Sequence, residues 1–396
     1  MLAKREDRYL NLTEGGVLDV LVIGGGITGA PIYCKLADQG HRAALIDMGD
    51  FASGTSQASG MLVWGGLLYL KNLDFSTVLK LCKARGELLR NFPEDLSVLD
   101  LHYLFRPSAR RSPAMVSALL HLYWLMGGCS LKRPSRMRNP DAICYQEAML
   151  RESDSRFVLD RIRGADSDHA IPINHCKLIA ADHDFQRRQW HLQVKDQLSG
   201  KEYAIQAKAV INAAGVWTDE VNAILGIHSP CKHVFSKGVY LTFPNTRHQT
   251  TAEVFPMHGE DDVLTHVPWG PVMMWGPTET HLHRIEDGLA PTREDIMFLM
   301  DQAERSLPQP PGFEDVVSIR CGIRPLVVPA SYHKNVYPLD LSRRHQSVIH
   351  HDKRSISLYG GKLTSSLHVA DQVAAMIRDW LPASHIPPIR MEPSST

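Results

Sequence analysis

The chain has 396 residues, with 43 basic and 43 acidic side chains and hence no net charge; this length fits about two domains around a sizeable core. The even charge balance points away from nucleic acid as a partner. Seven cysteines (Cys34, Cys82, Cys129, Cys144, Cys176, Cys231, Cys321) are scattered without a CxxC pair, which excludes a disulfide framework, argues against a zinc site and suits a reducing compartment.

The N-terminal MLAKREDRYLNLTEGG has no apolar h-region, so no signal peptide is expected, and no later run reaches the length that spans a bilayer. Residues 20–29, VLVIGGGITG, form an apolar run that opens into Gly24-x-Gly26-x-x-Gly29. Gly24 permits a tight turn, Gly26 lets the backbone approach a pyrophosphate, and Gly29 lets the following helix pack on the strand. Ile27 and Thr28 lie inside that turn, where backbone N–H groups face the anion. The helix reads APIYCKLADQG and the second strand HRAALID ends on Asp47, an acid placed to hydrogen-bond ribose hydroxyls. A lone glycine motif is weak, but strand, helix and distal acid agree here.

The next stretch, FASGTSQASGMLVWGGLLYL, is small and hydroxylated and ends in the pair Gly65-Gly66. Between 101 and 140 lie seven basic residues (Arg106, Arg110, Arg111, Lys132, Arg133, Arg136, Arg138) around AMVSALLHLYWLMGGC, a run too short to span a membrane. One reading is a helix pair resting on an anionic membrane surface; the competing readings are a core helix with solvated basic ends or a dimer contact. Residues 203–214 form a strand running into Ala213-Ala214-Gly215, and the runs GVYLTF, AEVFPM, DVLTHVPW and PVMMWG alternate with turns as in an antiparallel sheet. Residues 292–306 carry helical periodicity, capped by Thr292 with Asp295 three positions on. Near the end, ISLYGGKLTSSLHVADQVAAMI (356–377) is a strand, a Gly-Gly turn and a helix from about Thr364, followed by a frayed tail, PPIRMEPSST. Small residues recurring from Gly24 to about residue 366 fit FAD, which is long and threads its domain, better than NAD.

Taken together, VIGGGITGA, TSQASGMLVWGGLLYL, INAAGVW, CGIRPL (321–326) and GGKLTSS (360–366) resemble, in order, the FAD-dependent glycerol-3-phosphate dehydrogenases. These belong to the wider group of D-amino-acid-oxidase-like flavoproteins. The resemblance runs from about residue 18 to about 380. It implies an α/β fold: an FAD-binding Rossmann-like domain of the glutathione-reductase type, with a second, antiparallel-sheet α+β substrate domain roofing the flavin. We expect the FAD domain over 1–70, 150–225 and 345–385, a helical basic insertion over 71–149, and the roof over 226–344. The resemblance further implies hydride transfer from a small secondary alcohol bearing an anionic group to flavin N5. The electrons then pass to quinone or oxygen, in a cytoplasmic protein that touches the inner face of the membrane through 101–140. Oligomeric state is open.

Oxidising an alcohol this way requires removal of the hydroxyl proton and a cation near the developing oxygen charge. Arg324, set before Pro325 at the family's substrate-facing position, and Lys362, beside the flavin turn, are the cationic candidates, with Tyr69 as a third catalytic candidate; ion pairing or solvation are their bland alternatives. The cofactor set comprises Gly24, Gly26, Ile27, Thr28, Gly29, Asp47, Thr55, Ser56, Gly65, Gly66, Lys177, Ala214, Gly215, Gly361, Lys362, Leu363 and Thr364. The family keeps a His and an Arg in the stretch matching VWGGLLYL, where this chain has Trp64 and Leu68. These two, with Trp269, line the expected substrate pocket. Losing a bidentate Arg costs about 1.5–3 kcal/mol of binding, enough to retarget the enzyme toward a hydroxy acid, an amino acid or a secondary-metabolite intermediate. A decayed flavin-binding protein is the remaining alternative. His258, His266, His281 and His283 show no ligand spacing, though His258 or His266 could supply the missing base. Cys321 could tether a flavin but reads more simply as a small buried residue, and Trp275 is either pocket wall or core.

Overall fold

A computed structural model describes residues 5–105, 112–138, 141–257, 262–332 and 345–382. The chain divides into two compact units: Met1–Gln57, Asp154–Phe235 and Arg324–Thr396 form the first, and Ala58–Ser153 with Ser236–Ile323 the second.

The first unit is built on a sheet whose parallel heart runs Ala170–Ile173, Ala43–Ile46, Leu18–Ile23, Glu202–Asn212, Ser355–Tyr359. The first strand, LDVLVI, is buried at every position because both of its faces are covered, as parallel sheets require. Val20 and Val22 face helices Gly29–Asp38, Asp154–Ala165 and Ser366–Trp380, whose Ile32, Leu36, Ile162, Val373 and Ile377 complete that core. Leu21 and Ile23 face the opposite layer, formed by helix Arg5–Glu14 and an antiparallel meander. The meander grows from the long strand Glu202–Asn212. Its first half pairs antiparallel with Gln189–Asp196, and its second half pairs parallel with Leu18–Ile23. Tyr9 of the N-terminal helix stacks on Tyr203 of that strand, with ring centroids 4.1 Å apart.

The second unit holds most of a ten-stranded, mainly antiparallel sheet. Strands Ala252–Pro256, Val263–Trp269 and Val272–Gly276 match the alternating runs of the sequence. Helix Arg293–Ser306 packs Leu299 and Ala303 against their buried face, with Thr292 and Asp295 forming a reciprocal capping box. Trp275 is fully buried there and donates its Nε1–H to Leu299 O at 2.8 Å, so it is core.

The stretch 71–149 is not the helical insertion expected. It contains helices Phe75–Asn91 and Pro113–Met126, but also strands Leu96–Leu104 and Ala142–Leu150, which pair along nine register positions and extend the sheet of the second unit. The alternation in LSVLDLHYL marks a strand by its period of two; the cluster of basic residues drew the reading toward helices. The boundaries shift accordingly: the first unit gives way at Gln57 and resumes at Asp154 and Arg324.

Candidate functional site

In the first unit the glycine motif forms a turn that no other residue could make. Gly24 has φ +106°, and a Cβ there would lie 2.4 Å from Ala213 O; a Cβ on Gly29 would lie 1.9 Å from Gly24 O. Only hydrogen permits the left-handed bend and the close passage of the helix across it. Helix Gly29–Asp38 begins at Thr28 with no side-chain cap, which leaves the positive end of the helix dipole for an outside acceptor. Ser56, in the short turn Thr55–Gln57, accepts the Ile27 N–H at 2.9 Å and pins the loop from above.

Asp47 closes the second strand as expected, with an added structural duty. Its Oδ2 accepts the Gly25 N–H at 2.7 Å and its Oδ1 accepts the Gly49 N–H at 2.9 Å. Burial raises its pKa, against the lowering effect of those two N–H groups. Its carbonyl accepts the Cys176 N–H at 2.6 Å, which brings the exposed neighbour Lys177 to the same strand end.

The two distant small-residue motifs converge on this turn. Ala213 N–H donates to Ile23 O at 2.8 Å, placing Ala214 and Gly215 beside Gly24. The Cβ position of Gly361 lies 2.9 Å from Thr28 Oγ1, so the Gly360–Thr364 turn lies against the helix N-terminus. Lys362, Leu363 and Thr364 follow directly, with Thr364 buried and Lys362 half-buried. An uncapped helix end, a strand-end carboxylate and three glycine-rich turns on one unit fit a dinucleotide with a pyrophosphate at the helix and an extended body running along the turns.

A buried polar network beneath these turns was not legible in the sequence. Asn212 donates to Asn222 Oδ1 at 2.9 Å and accepts the Ala214 N–H at 3.2 Å. Ser357 donates to the same Asn222 oxygen at 2.6 Å, Asn222 donates to Tyr359 Oη at 2.8 Å, and Tyr359 donates to Asp219 Oδ1 at 2.9 Å. Asp219 Oδ2 in turn accepts the His233 backbone N–H at 2.9 Å. Burial raises the Tyr359 pKa far above the ordinary phenol range, so its hydroxyl stays protonated and donates.

Arg324 is half-buried in strand Ser318–Pro329 and belongs, like Lys362, to the first unit. Trp64, Gly65, Gly66, Leu68, Tyr69 and Trp269 belong to the second. There the Gly65 N–H points at Glu147 Oε2 (3.3 Å), and a Cβ on Gly65 would meet Tyr123 Oη at 2.2 Å. Glu147 is fully buried, accepts from Arg85 Nη1 at 2.5 Å and from Tyr123 Oη at 2.5 Å, and Arg85 itself is 3 % exposed. Gly65 is therefore small because this ion pair lies behind it. Gly66, with φ +90°, starts the turn Leu67–Asn72. Tyr69 packs against the small cluster formed by Leu70, Val78, Cys82 and Tyr123, and Leu68 is 47 % exposed. Trp269 carries the Arg320 guanidinium 5.1 Å from its ring centre.

The remaining candidates take ordinary places. His266 Nδ1 pairs with Glu253 at 3.2 Å, and this holds the Glu253 pKa below its usual value despite the opposing effect of burial. His281 and His283 contact each other edge to face at 5.0 Å, and among the described residues no group of three or more metal-binding side chains occurs. His258 lies outside the described residues, as do Arg106, Arg110 and Arg111. Cys321 packs against the core of the second unit and directs its thiol to Gly288 O.

Comparison with known proteins agrees with this assembly. The aerobic glycerol-3-phosphate dehydrogenase of Staphylococcus saprophyticus is 27% identical over 375 residues, covering 91% of this chain and 66% of the relative. The Staphylococcus aureus enzyme of the same name is 27% identical over 394 residues, covering 94% of this chain and 69% of the relative. The chain thus spans about two thirds of the length of these relatives. A glycerol-3-phosphate dehydrogenase from Bacillus halodurans, solved with FAD, superposes with a TM-score of 0.73 at 25% identity, over 98% of this chain and 69% of that one. An L-alpha-glycerophosphate oxidase from Mycoplasma pneumoniae with FAD bound shares the fold, with a TM-score of 0.70 at 14% identity, over 92% of this chain and 95% of that one. The FAD dependent oxidoreductase family model matches residues 19–374, and the chain belongs to that family of flavin enzymes.

Proposed function

We propose that the protein dehydrogenates a small secondary alcohol bearing an anionic group, with glycerol 3-phosphate as the first substrate to test. The observation that carries this reading is the pair of cations on the FAD-binding unit, Arg324 and Lys362. Both are half-buried, where a charge-assisted bond to phosphate or to the developing oxygen charge is stronger than in water. The names of the relatives support the same substrate class. Bound FAD supplies the two-electron acceptor; the chain's part is to hold the anionic end of the substrate and keep the reacting carbon in place. Trp64 and Leu68 favour a second reading, in which the same machinery acts on a hydroxy acid or amino acid.

The test is an anaerobic titration of the FAD-loaded protein with sn-glycerol 3-phosphate, then with hydroxy acids and amino acids, following flavin bleaching. Bleaching by glycerol 3-phosphate supports the first reading, bleaching by another anion the second, and no bleaching by any of them counts against both. Arg324→Ala should lose about a hundredfold in kcat/KM, the worth of one charge-assisted contact, while keeping its FAD.

For the electron acceptor we favour a membrane quinone over oxygen. Helix Pro113–Met126 exposes Met115 (52%), Leu122 (36%) and Leu125 (58%) on one face. In the same unit Leu73, Phe75 and Leu79 are exposed too, and Lys132 and Arg133 add exposed positive charge. Among the described residues no helix is long and apolar enough to cross a membrane, so the contact proposed is with its surface.

A further inference from the structure

We propose that His233 is the positioning residue of the flavin-binding turn, holding the Gly360–Thr364 backbone by accepting the Gly360 N–H on a neutral imidazole. The inference rests on the FAD reading and concerns how that site is held in shape. His233 Nε2 lies 3.0 Å from the Gly360 nitrogen. An amide nitrogen can only donate, so Nε2 must carry a lone pair and the ring proton must be on Nδ1. The ring is 6 % exposed, and Nδ1 has no hydrogen-bond partner.

Three elements fix the ring. Its own backbone N–H is held by Asp219 Oδ2 at 2.9 Å. Its ring lies against Tyr359, centroids 4.8 Å apart, and tilted to Phe235 at 6.3 Å. Tyr359 is tied to Asp219 and Asn222, members of the network that also holds Ala214. His233 therefore links the Ala213–Gly215 turn to the Gly360–Gly361 turn, the two backbone segments that flank the cofactor in this reading.

The titratable groups facing the ring are Asp219 and Tyr359. Asp219 favours protonation, but burial outweighs it and lowers the His233 pKa to about 4. A histidine with a depressed pKa is neutral in both folded and unfolded chains above about 6.5, so its contribution is complete there. That contribution is lost as pH falls from about 6.5 through the folded value: the unfolded chain takes up the proton first, and near 4 the folded ring does so too, which removes the Nε2 acceptor.

The experiment measures the FAD dissociation constant of apo-protein by flavin fluorescence for wild type, His233→Phe and His233→Gln, from pH 7 down to 4.5. Phe keeps the ring packing without the acceptor, and Gln keeps an acceptor that does not titrate. At pH 7 Phe should bind FAD about tenfold more weakly, about 1.4 kcal/mol, and Gln should stay within about threefold of wild type. As pH falls to 4.5 the ratio of wild type to Gln should hold, because the folded ring stays neutral until about 4. Phe binding within twofold of wild type would overturn the proposal, as would a wild type that loses affinity relative to Gln near pH 6.5, where an ordinary histidine titrates. If wild type itself does not bind FAD, the cofactor reading fails instead.

Discussion

Replacing Arg85 by Met tests whether the buried pair behind Gly65 acts as argued. Arg85 and Glu147 are 3 % and 0 % exposed and share the bonds at 2.5 and 2.8 Å that tie Glu147, Tyr123 and Arg85 together. Removing one partner of such a pair strands the other charge and costs about 3–5 kcal/mol. At about 2–4 °C per kcal/mol for a unit of this size, Arg85→Met should melt about 6–20 °C below wild type. Adding Glu147→Gln removes the stranded charge yet leaves an acceptor for Tyr123, so the double variant should recover to within about 2 kcal/mol of wild type.

The pH dependence has a definite sign. Burial pushes the Glu147 carboxyl above its ordinary value even with Arg85 beside it. A carboxyl raised on folding erodes stability as pH climbs from its unfolded value through its folded one. Without Arg85 the folded value rises further, so the deficit should be larger at pH 8 than at pH 6. Urea and thermal unfolding of the holoprotein at both pH values read this directly. A deficit below about 1 kcal/mol, or one independent of pH, or a double variant no better than the single, would refute the reasoning.

Asp47→Ala removes the acceptor of two backbone N–H groups and should both weaken FAD retention and lower stability by about 2–4 kcal/mol; Asp47→Asn, keeping one acceptor oxygen, should recover part of each. Flavin content after gel filtration and a thermal melt decide it, and an unchanged flavin content in the Ala variant would remove Asp47 from the cofactor site. Leu122→Glu, placed on the exposed face of helix Pro113–Met126, should cut cosedimentation with anionic vesicles several-fold while shifting the melting point by less than about 2 °C. Undiminished vesicle binding would sink the membrane-surface reading.

The glycine turn, Asp47 at its strand end and the two later small-residue turns were legible because each is local: period, turn chemistry and a flanking helix lie within a few residues of one another. The same holds for the Thr292–Asp295 capping box. The strand Leu96–Leu104 was hidden because a conspicuous charge pattern competed with a weaker alternation, and Ala142–Leu150, buried at nearly every position, has no alternation to read. What could not be read at all are the polar groups that meet across long stretches of chain. His233 reaches Gly360, Asn222 reaches Tyr359, and Arg85 reaches Glu147. A buried histidine or glutamate has no local signature; only the fold names its partner. Gly65 illustrates the point, since only the fold shows that Tyr123 and the buried Arg85 stand where its side chain would be.

The parallel sheet of the first unit has a consequence for how the protein comes to exist. Val20 pairs with Ala209, and Ile211 pairs with Ile356, so neighbours in the sheet are made far apart in time on the ribosome. The glycine turn emerges early, but its floor closes only when the third segment, from Arg324 onward, has been synthesised. Until then the second half of strand Glu202–Asn212, paired with LDVLVI on one side only, has an open edge on the other, the kind of surface that invites wrong pairing. Bound FAD can stabilise the folded sheet only after that last segment, which carries the Gly360–Gly361 turn, has been made.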